Sequence, residues 1–221
     1  MTNRDDERAV SVPSPGHDIN AILLAAGRSQ RMGKQNKLMI SINGTPMLRR
    51  VTETILGSDI KSLIVVTGFQ ETLIAKILKD LPVNFTHNQN FEHGLSTSLS
   101  AGLRALPKAT SAVIICLADM PMVRTDHIDK LISSFNPTLG REICIPTTKG
   151  KWGNPVLIGK RFFNEILTNK GDAGAKDLIK KYSRYVAEID IKDDGVLFDI
   201  DTPSEMDCFL EIEGSATANG C

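Results

Sequence analysis

The 221-residue sequence predicts an α/β protein of three layers, α/β/α, built on a mostly parallel sheet with helices on both faces. Three observations carry this expectation. Short runs rich in β-branched residues alternate with segments whose apolar residues recur at helical spacing, the signature of parallel strands joined by crossover helices. One run, Ala112–Leu117, is apolar at every position, so both of its faces must be covered and it is a central strand. The residues with the most distinctive chemistry follow directly on strands, where open sheets of this kind bind their ligands.

Residues 19–25 read as the first strand. Thr45 offers an N-cap and Pro46 a first helical position for a helix whose Met47, Leu48, Val51 and Ile55 share one face, and Gly57 closes it. Residues 62–67 form a strand, residues 71–79 a helix with Leu73, Ile74, Ile77 and Leu78 as its buried stripe, and residues 83–86 a third strand. Leu95, Leu99 and Leu103 mark the helix before the central strand. Thr125 can cap a helix to Ser134, residues 143–146 and 155–158 are short strands, residues 160–168 and 175–182 helices, and residues 186–191 a strand. Pro203 opens a last helix to Glu211, with Met206, Phe209 and Leu210 on its inner side. Residues 1–17 and 214–221, polar and poor in apolar periodicity, are expected as flexible extensions of one domain over residues 18–213.

Composition narrows the function. Lys plus Arg and Asp plus Glu both total 26, so no charge surplus suggests nucleic acid as a partner. With 41% hydrophobic and 24% charged residues the chain is of ordinary globular composition. Its longest apolar runs fall far short of the roughly 18 residues that cross a membrane, so no membrane association is expected. The four cysteines show no metal-ligand spacing and no C-x-x-C pair, and residues 1–17 contain no apolar core of a secretory signal, which together point to the reducing cytoplasm. Cys116 and Cys144 lie in β-branched runs, where a thiol serves as a small buried hydrophobe.

The chemistry concentrates after the first strand, in Leu24-Ala25-Ala26-Gly27-Arg28-Ser29-Gln30-Arg31-Met32-Gly33, with Lys37 a little beyond. Small residues and two glycines let the backbone approach a ligand, and Arg28, Arg31, Lys34 and Lys37 form a basic stretch without an acid, the electrostatic complement of a triphosphate. A Walker loop does not fit, because the Gly27–Gly33 spacing is one residue too long and Gln35 follows Lys34. A dinucleotide fingerprint fails too, since Arg28-Ser29 interrupts its second glycine. The central strand ends in Ala118-Asp119-Met120-Pro121, which places a carboxylate where it can hold Mg²⁺ against phosphates. A second acidic segment, Asp199-Ile200-Asp201-Thr202-Pro203, reads as another strand end, where Asp201 or Thr202 could instead be the N-cap of the last helix.

The ordered set of loop, Ala118-Asp119-Met120-Pro121 and later motifs resembles the nucleotidyltransferases with a Rossmann-like, glycosyltransferase-A-like fold, the group that includes the molybdenum cofactor guanylyl- and cytidylyltransferases. Alanine stands at position 118 where the family's G-D-M-P motif has glycine. The resemblance implies that Leu24, Ala25, Ala26, Gly27, Arg28, Ser29, Arg31, Met32, Gly33, Lys37, Gly94, Ser96, Ser98 and Asp119 bind the nucleotide, and that Asp119 and Asp201 hold Mg²⁺, or Mn²⁺ in its place. It places Met120, Pro121, Asn154, Gly171 and Asp172 on the acceptor side. Gly153-Asn154-Pro155, Gly171-Asp172-Ala173-Gly174 and Asp199-Ile200-Asp201-Thr202-Pro203 are similar to the cytidylyltransferase branch rather than to the N-I-N-T-P of guanylyl members, which implies CTP as substrate, a molybdopterin-type acceptor and a molybdoenzyme as client of the product.

In such a reaction an acceptor phosphate, already anionic, attacks the α-phosphorus, so no general base is required. Lys37, Arg28 and Asp119 are then the expected catalytic groups. Among the histidines only His93 lies beside a motif, and it is expected to be peripheral. Trp152 with Gly153 either shapes an acceptor pocket for a flat heterocycle or packs beneath a loop. A sugar- or polyol-phosphate acceptor, GTP as donor, a catalytically silent cofactor carrier, and an oxidoreductase without a fingerprint remain the competing readings.

Overall fold

A computed structural model of the protein describes residues 16–28, 36–168 and 174–218. In chain order its elements are β1 (Ile19–Leu24), β2 (Ser41–Ile42), β3 (Thr45–Pro46), α1 (Met47–Leu56), β4 (Leu63–Thr67), α2 (Glu71–Ile77), β5 (Val83–His87), α3 (Leu95–Ala105), β6 (Ala112–Leu117), α4 (Thr125–Ser134), β7 (Ile143–Thr148), β8 (Lys151–Trp152), β9 (Val156–Gly159), α5 (Phe163–Thr168), α6 (Gly174–Lys181), β10 (Val186–Asp190) and α7 (Pro203–Ala218). The main sheet has the order β10-β7-β9-β6-β1-β4-β5, with β8 paired to β7.

Burial on both faces explains the uniformly apolar strands. β1 lies between β6 and β4, parallel to both, and all six of its residues are buried. Its alternate side chains divide the core. Ala21 and Leu23, with Leu63, Val65, Ile114 and Cys116, pack against Met47, Leu48, Val51 and Ile55 of α1, Ile128 and Leu131 of α4, and Met206 and Phe209 of α7. Ile22 and Leu24, with Ile64, Val66, Val113 and Ile115, pack against Leu99 and Leu103 of α3 and Leu178 and Ile179 of α6. Each such Leu, Ile or Val side chain, fully buried, contributes about 1.5–3 kcal/mol of transfer free energy.

Among the described strands the main sheet departs from parallel at β9, which runs antiparallel to both β6 and β7, and at β8, which runs antiparallel to β7. The short return from β7 through β8 leaves no room for the crossover of a dozen or more residues that a parallel neighbour needs.

Several element boundaries differ from those the sequence predicts. Thr45 and Pro46 do not open α1; they pair with Ile42 and Ser41 in a two-stranded ribbon, which keeps Pro46 extended and starts the helix at Met47. The α2 stripe is narrower than expected: Ile74 and the following Leu78 are buried, but Leu73 is 40% exposed. On α7, Met206 and Phe209 are buried while Leu210 faces outward, and the helix runs on to Ala218, into the segment expected to be a flexible tail. His17 is likewise part of the folded unit, its ring edge-on to Phe135 with centroids 5.1 Å apart; residues 1–15 of the expected extension lie outside the described residues.

Cys116 and Cys144 are buried free thiols, as their surroundings predict. Burial pushes the Cys144 thiol up to about 12 and that of Cys116 higher still, so neither is poised as a nucleophile. No helix among the described residues is long and apolar enough to cross a membrane.

Candidate functional site

At the carboxyl end of the sheet lies a cleft of about 430 Å³. Leu24 to Arg28, leaving β1, form its floor and one wall; Leu117, Ala118 and Asp119, leaving β6, form another; Lys37, Leu38 and Asp201 close one side, and Phe91, Glu92, Gly94, Leu95 and Ser98 the other. Backbone pairing keeps the floor open yet fixed. Ala25 N–H donates to Val66 at 3.0 Å and Ala118 N–H to Leu24 at 3.2 Å, so both chain exits are still held at the level of the sheet. Gly68 permits the Phe91 wall: a Cβ there would stand 2.6 Å from Phe91 Cβ and 2.9 Å from Ala26 Cβ.

Lys37 sits in the 3₁₀ turn Lys37–Met39, which Asn36 caps by accepting the Leu38 N–H at 3.1 Å. The lysine is 7% exposed, and its Nζ donates to Asp119 Oδ2 and to Asp201 Oδ1, both at 2.7 Å. Burial on its own would lower the lysine pKa; the charges and hydrogen bonds of Asp119 and Asp201 outweigh it, and the net shift is upward. Asp201 reaches this position because Ile200 N–H donates to the Asp119 carbonyl at 3.0 Å, binding the segment before α7 to the turn after β6. That segment is irregular chain and not a strand end, since β10 stops at Asp190 and a 3₁₀ turn, Asp194–Val196, intervenes.

The ambiguity over the helix cap is resolved in favour of Thr202. Its hydroxyl accepts the Glu205 N–H at 3.3 Å, while Glu205 Oε2 accepts the Asp201 and Thr202 N–H groups, each at 2.8 Å. These bonds hold the Glu205 carboxyl below its usual range. Asp201 is thereby left to the cleft. Neighbouring Asp199 is more exposed, and partial burial together with the charges of Asp201 and Asp119 raises its pKa.

A divalent cation is a chemical fit for the Asp119 and Asp201 pair. Asp119 Oδ1 is buried and has no hydrogen-bond partner among the described residues, an arrangement that costs stability unless a cation or a donor arrives. No group of three His, Cys, Asp or Glu side chains spaced for a metal occurs among the described residues, so the pair of carboxylates is what those residues offer at the cleft. Mg²⁺ accepts such a site, completing its coordination with phosphate and water oxygens.

Arg28 extends over the Phe91 ring at 5.5 Å and pairs with Glu92. Across the cleft, Gly94 (φ +95°) precedes α3, whose N-terminus carries no side-chain cap and so presents partial positive charge. Asn88, buried, donates to Thr97 Oγ1 at 2.8 Å and Ser98 Oγ at 2.9 Å and fastens that end of the helix.

The cleft gathers Leu24, Ala25, Ala26, Gly27, Arg28, Lys37, Gly94, Ser98, Asp119 and Asp201 from the expected site residues. Ser96 is half-buried and not part of the lining. Met120 turns away from the cleft into an apolar pocket with Val51, Ile55, Val123 and Pro155, and Pro121 is buried, so packing rather than ligand contact accounts for both. Asn154 lies two residues before β9 and is not part of the cleft lining, its N–H bonded to the Val196 carbonyl at 2.8 Å. Ser29, Arg31, Met32, Gly33, Gly171 and Asp172 fall outside the described residues. Phe91, Glu92 and Asn88 escaped the sequence reading, since no local pattern marks them, whereas Leu95, read from the sequence as part of a helix stripe, lines the cleft. Glu205 had a readable signal, the T-x-x-E spacing of a capping box.

Residues 21–186 match the MobA-like NTP transferase domain. Among known proteins, the purine catabolism protein PucB of Bacillus subtilis is 29% identical over 84% of this chain and 93% of its own length. The nicotine blue oxidoreductase of Paenarthrobacter nicotinovorans is 23% identical over 85% of this chain and 94% of its own. The probable molybdenum cofactor guanylyltransferase of Haloferax mediterranei is 31% identical over 50% of this chain and 51% of its own. Two solved structures share the fold: a nucleotidyl transferase from Methanothermobacter thermautotroptrophicus, with TM-score 0.79 and 19% identity over 91% of this chain and all of that one, and Rv0371c of Mycobacterium tuberculosis in complex with manganese, with TM-score 0.75 and 21% identity over 88% of this chain and 98% of that one. The chain therefore belongs to the MobA-like NTP transferase family and is a nucleotidyltransferase.

Proposed function

We propose that this nucleotidyltransferase moves CMP from CTP onto the phosphate of a molybdopterin-type cofactor. The observation that carries the reading is Lys37 held between Asp119 and Asp201 in a cleft that also presents Arg28 and the uncapped end of α3. Cationic groups on the cleft wall can take up a triphosphate, and the carboxylates beside them can share its charge with a metal. A phosphate oxygen of the acceptor forms a bond to the α-phosphorus, the bond from that phosphorus to the β-phosphate oxygen breaks, and pyrophosphate leaves. Arg28 and Lys37 bind the phosphates, and Asp119 and Asp201 hold Mg²⁺ or Mn²⁺. When bound, such an ion offsets charge on the departing pyrophosphate. The manganese in a structural neighbour and the lone buried Asp119 Oδ1 support the metal assignment.

The molybdopterin acceptor is supported by the relative from Haloferax mediterranei and by the Gly153-Asn154-Pro155 segment, and CTP by the Asp199-Ile200-Asp201-Thr202-Pro203 pattern. Incubation with molybdenum cofactor, Mg²⁺ and each nucleoside triphosphate in turn should release pyrophosphate with CTP; release with GTP alone rejects the nucleotide assignment. Asp119→Asn should reduce that release by at least about a hundredfold while the thermal midpoint is kept. The relative named as an oxidoreductase supplies a second reading, so the panel should include NADH and NADPH, whose oxidation in place of pyrophosphate release would favour it.

A further inference from the structure

We propose that Trp152 is the shelf on which the flat ring system of the acceptor lies, an assignment that rests on the pterin-type acceptor proposed above. Trp152 is the only tryptophan in the chain, and at 40% exposure it does not pack beneath a loop. The strand register gives its place. Trp152 pairs with Thr147 on one edge of β7, while Asp190 of β10 pairs with Thr147 on the other. The indole Nε1 donates to Glu188 Oε1 of β10 at 2.9 Å, so the side chain spans β7 at its carboxyl end and is held there.

Its face and its distance from the cleft also follow from the register. Ile143 and Ile145 of β7 belong to the core under α3 and α6, so two residues on Thr147 and its partner Trp152 stand on that same face. The N-terminus of α3, on this face, walls the cleft. Cys144 aligns with Leu157 and Leu157 with Ile114, which sets Thr147 level with Leu117, a cleft residue. Two strand spacings, about 10 Å, separate them. An acceptor whose phosphate meets the nucleotide beside Asp119 would thus extend its far end toward the indole.

The support beneath the ring is rigid. Gly153 N–H donates to Pro146 at 2.8 Å, and Gly153 lies so close to Val196 that a Cβ would stand 2.3 Å from its carbonyl oxygen. Asn154 N–H bonds the same carbonyl, which ties the shelf to the segment leading to Asp201. An exposed indole fixed by its N–H offers a flat apolar face, which suits a planar heteroaromatic ring by stacking.

The test measures binding, so it does not depend on which nucleotide is transferred. Equilibrium dialysis of molybdenum cofactor against wild type, Trp152→Leu and Trp152→Phe should show binding weakened about tenfold or more by Leu and far less by Phe. CTP binding should be unchanged in both. Bound cofactor, but not CTP, should also shield Trp152 from acrylamide in fluorescence-lifetime quenching. Equal cofactor affinity in Trp152→Leu, or equal losses for cofactor and CTP, overturns the shelf. Wild type that takes a sugar phosphate and no cofactor overturns both the shelf and the acceptor reading. Trp152-dependent cofactor binding accompanied by GMP transfer leaves the shelf standing and removes CTP.

Discussion

Lys37 and a divalent cation make the same demand on the site. The ammonium already takes Asp119 Oδ2 and Asp201 Oδ1 at 2.7 Å, and the upward pKa shift keeps it charged at any physiological pH. A metal drawn to these carboxylates meets a competing positive charge within a few ångströms, and nucleotide phosphates are the partner that can draw the lysine away. Removing the charge should therefore split two properties that usually fall together. Lys37→Met is expected to bind Mn²⁺ about tenfold more tightly in the absence of nucleotide, read by electron paramagnetic resonance titration, while pyrophosphate release falls at least about a hundredfold. Weaker Mn²⁺ binding in the variant would mean that the lysine assembles the carboxylates instead of contesting them. Both Lys37 and Asp119 could be read from the sequence, because each follows a strand within a recognisable motif. Their direct pairing could not, since it depends on the turn that Asn36 caps.

At the scale of elements, the start of α7 sets the second carboxylate in place. Glu205 accepts from the N–H groups of Asp201 and Thr202, so the cap fixes the backbone that carries the Asp201 side chain. Glu205→Ala should cost about 1 kcal/mol of stability in urea denaturation, within the range for a lost cap, and should weaken Mn²⁺ binding as well. Glu205→Gln, which keeps an acceptor oxygen, should restore most of both. Two local signals here went unread in the sequence. One is the T-x-x-E spacing; the other is Asn43-Gly44, both at positive φ, which joins β2 to β3 and holds Pro46 out of the helix. The strands were more legible than the helix starts, because burial on both faces leaves an uninterrupted apolar run, whereas a cap is a single polar residue among many.

For the whole molecule, stability carries a pH dependence through His127 at the start of α4. Its ring is fully buried, Nδ1 accepts the Arg124 N–H at 3.3 Å, and Nε2 has no hydrogen-bond partner among the described residues, with Asp193 Oδ2 at 3.9 Å. Burial and the Arg124 charge lower its pKa, only partly opposed by Asp126 and Asp193. A folded pKa below 6.5 means that this contribution is whole above that pH and is lost as acid protonates the unfolded chain first. The urea midpoint should fall between about pH 7.5 and 5.5, and His127→Asn should reduce that fall. At this scale the sequence disclosed the layered sheet and its carboxyl-end cleft, yet not Phe91 or Glu92, whose roles arise only where the 3₁₀ turn Phe91–His93 meets the β1 exit. The Lys37 contacts have one more consequence, for the order in which the molecule acquires its abilities. They reach across 82 and 164 positions of chain, so the site closes only when the last segment docks. Contacts of such long separation carry the largest loop-closure cost and form late. On the proposed assignment, competence to bind nucleotide and metal is expected only after Asp201 has been delivered, so a chain truncated before that residue should bind neither.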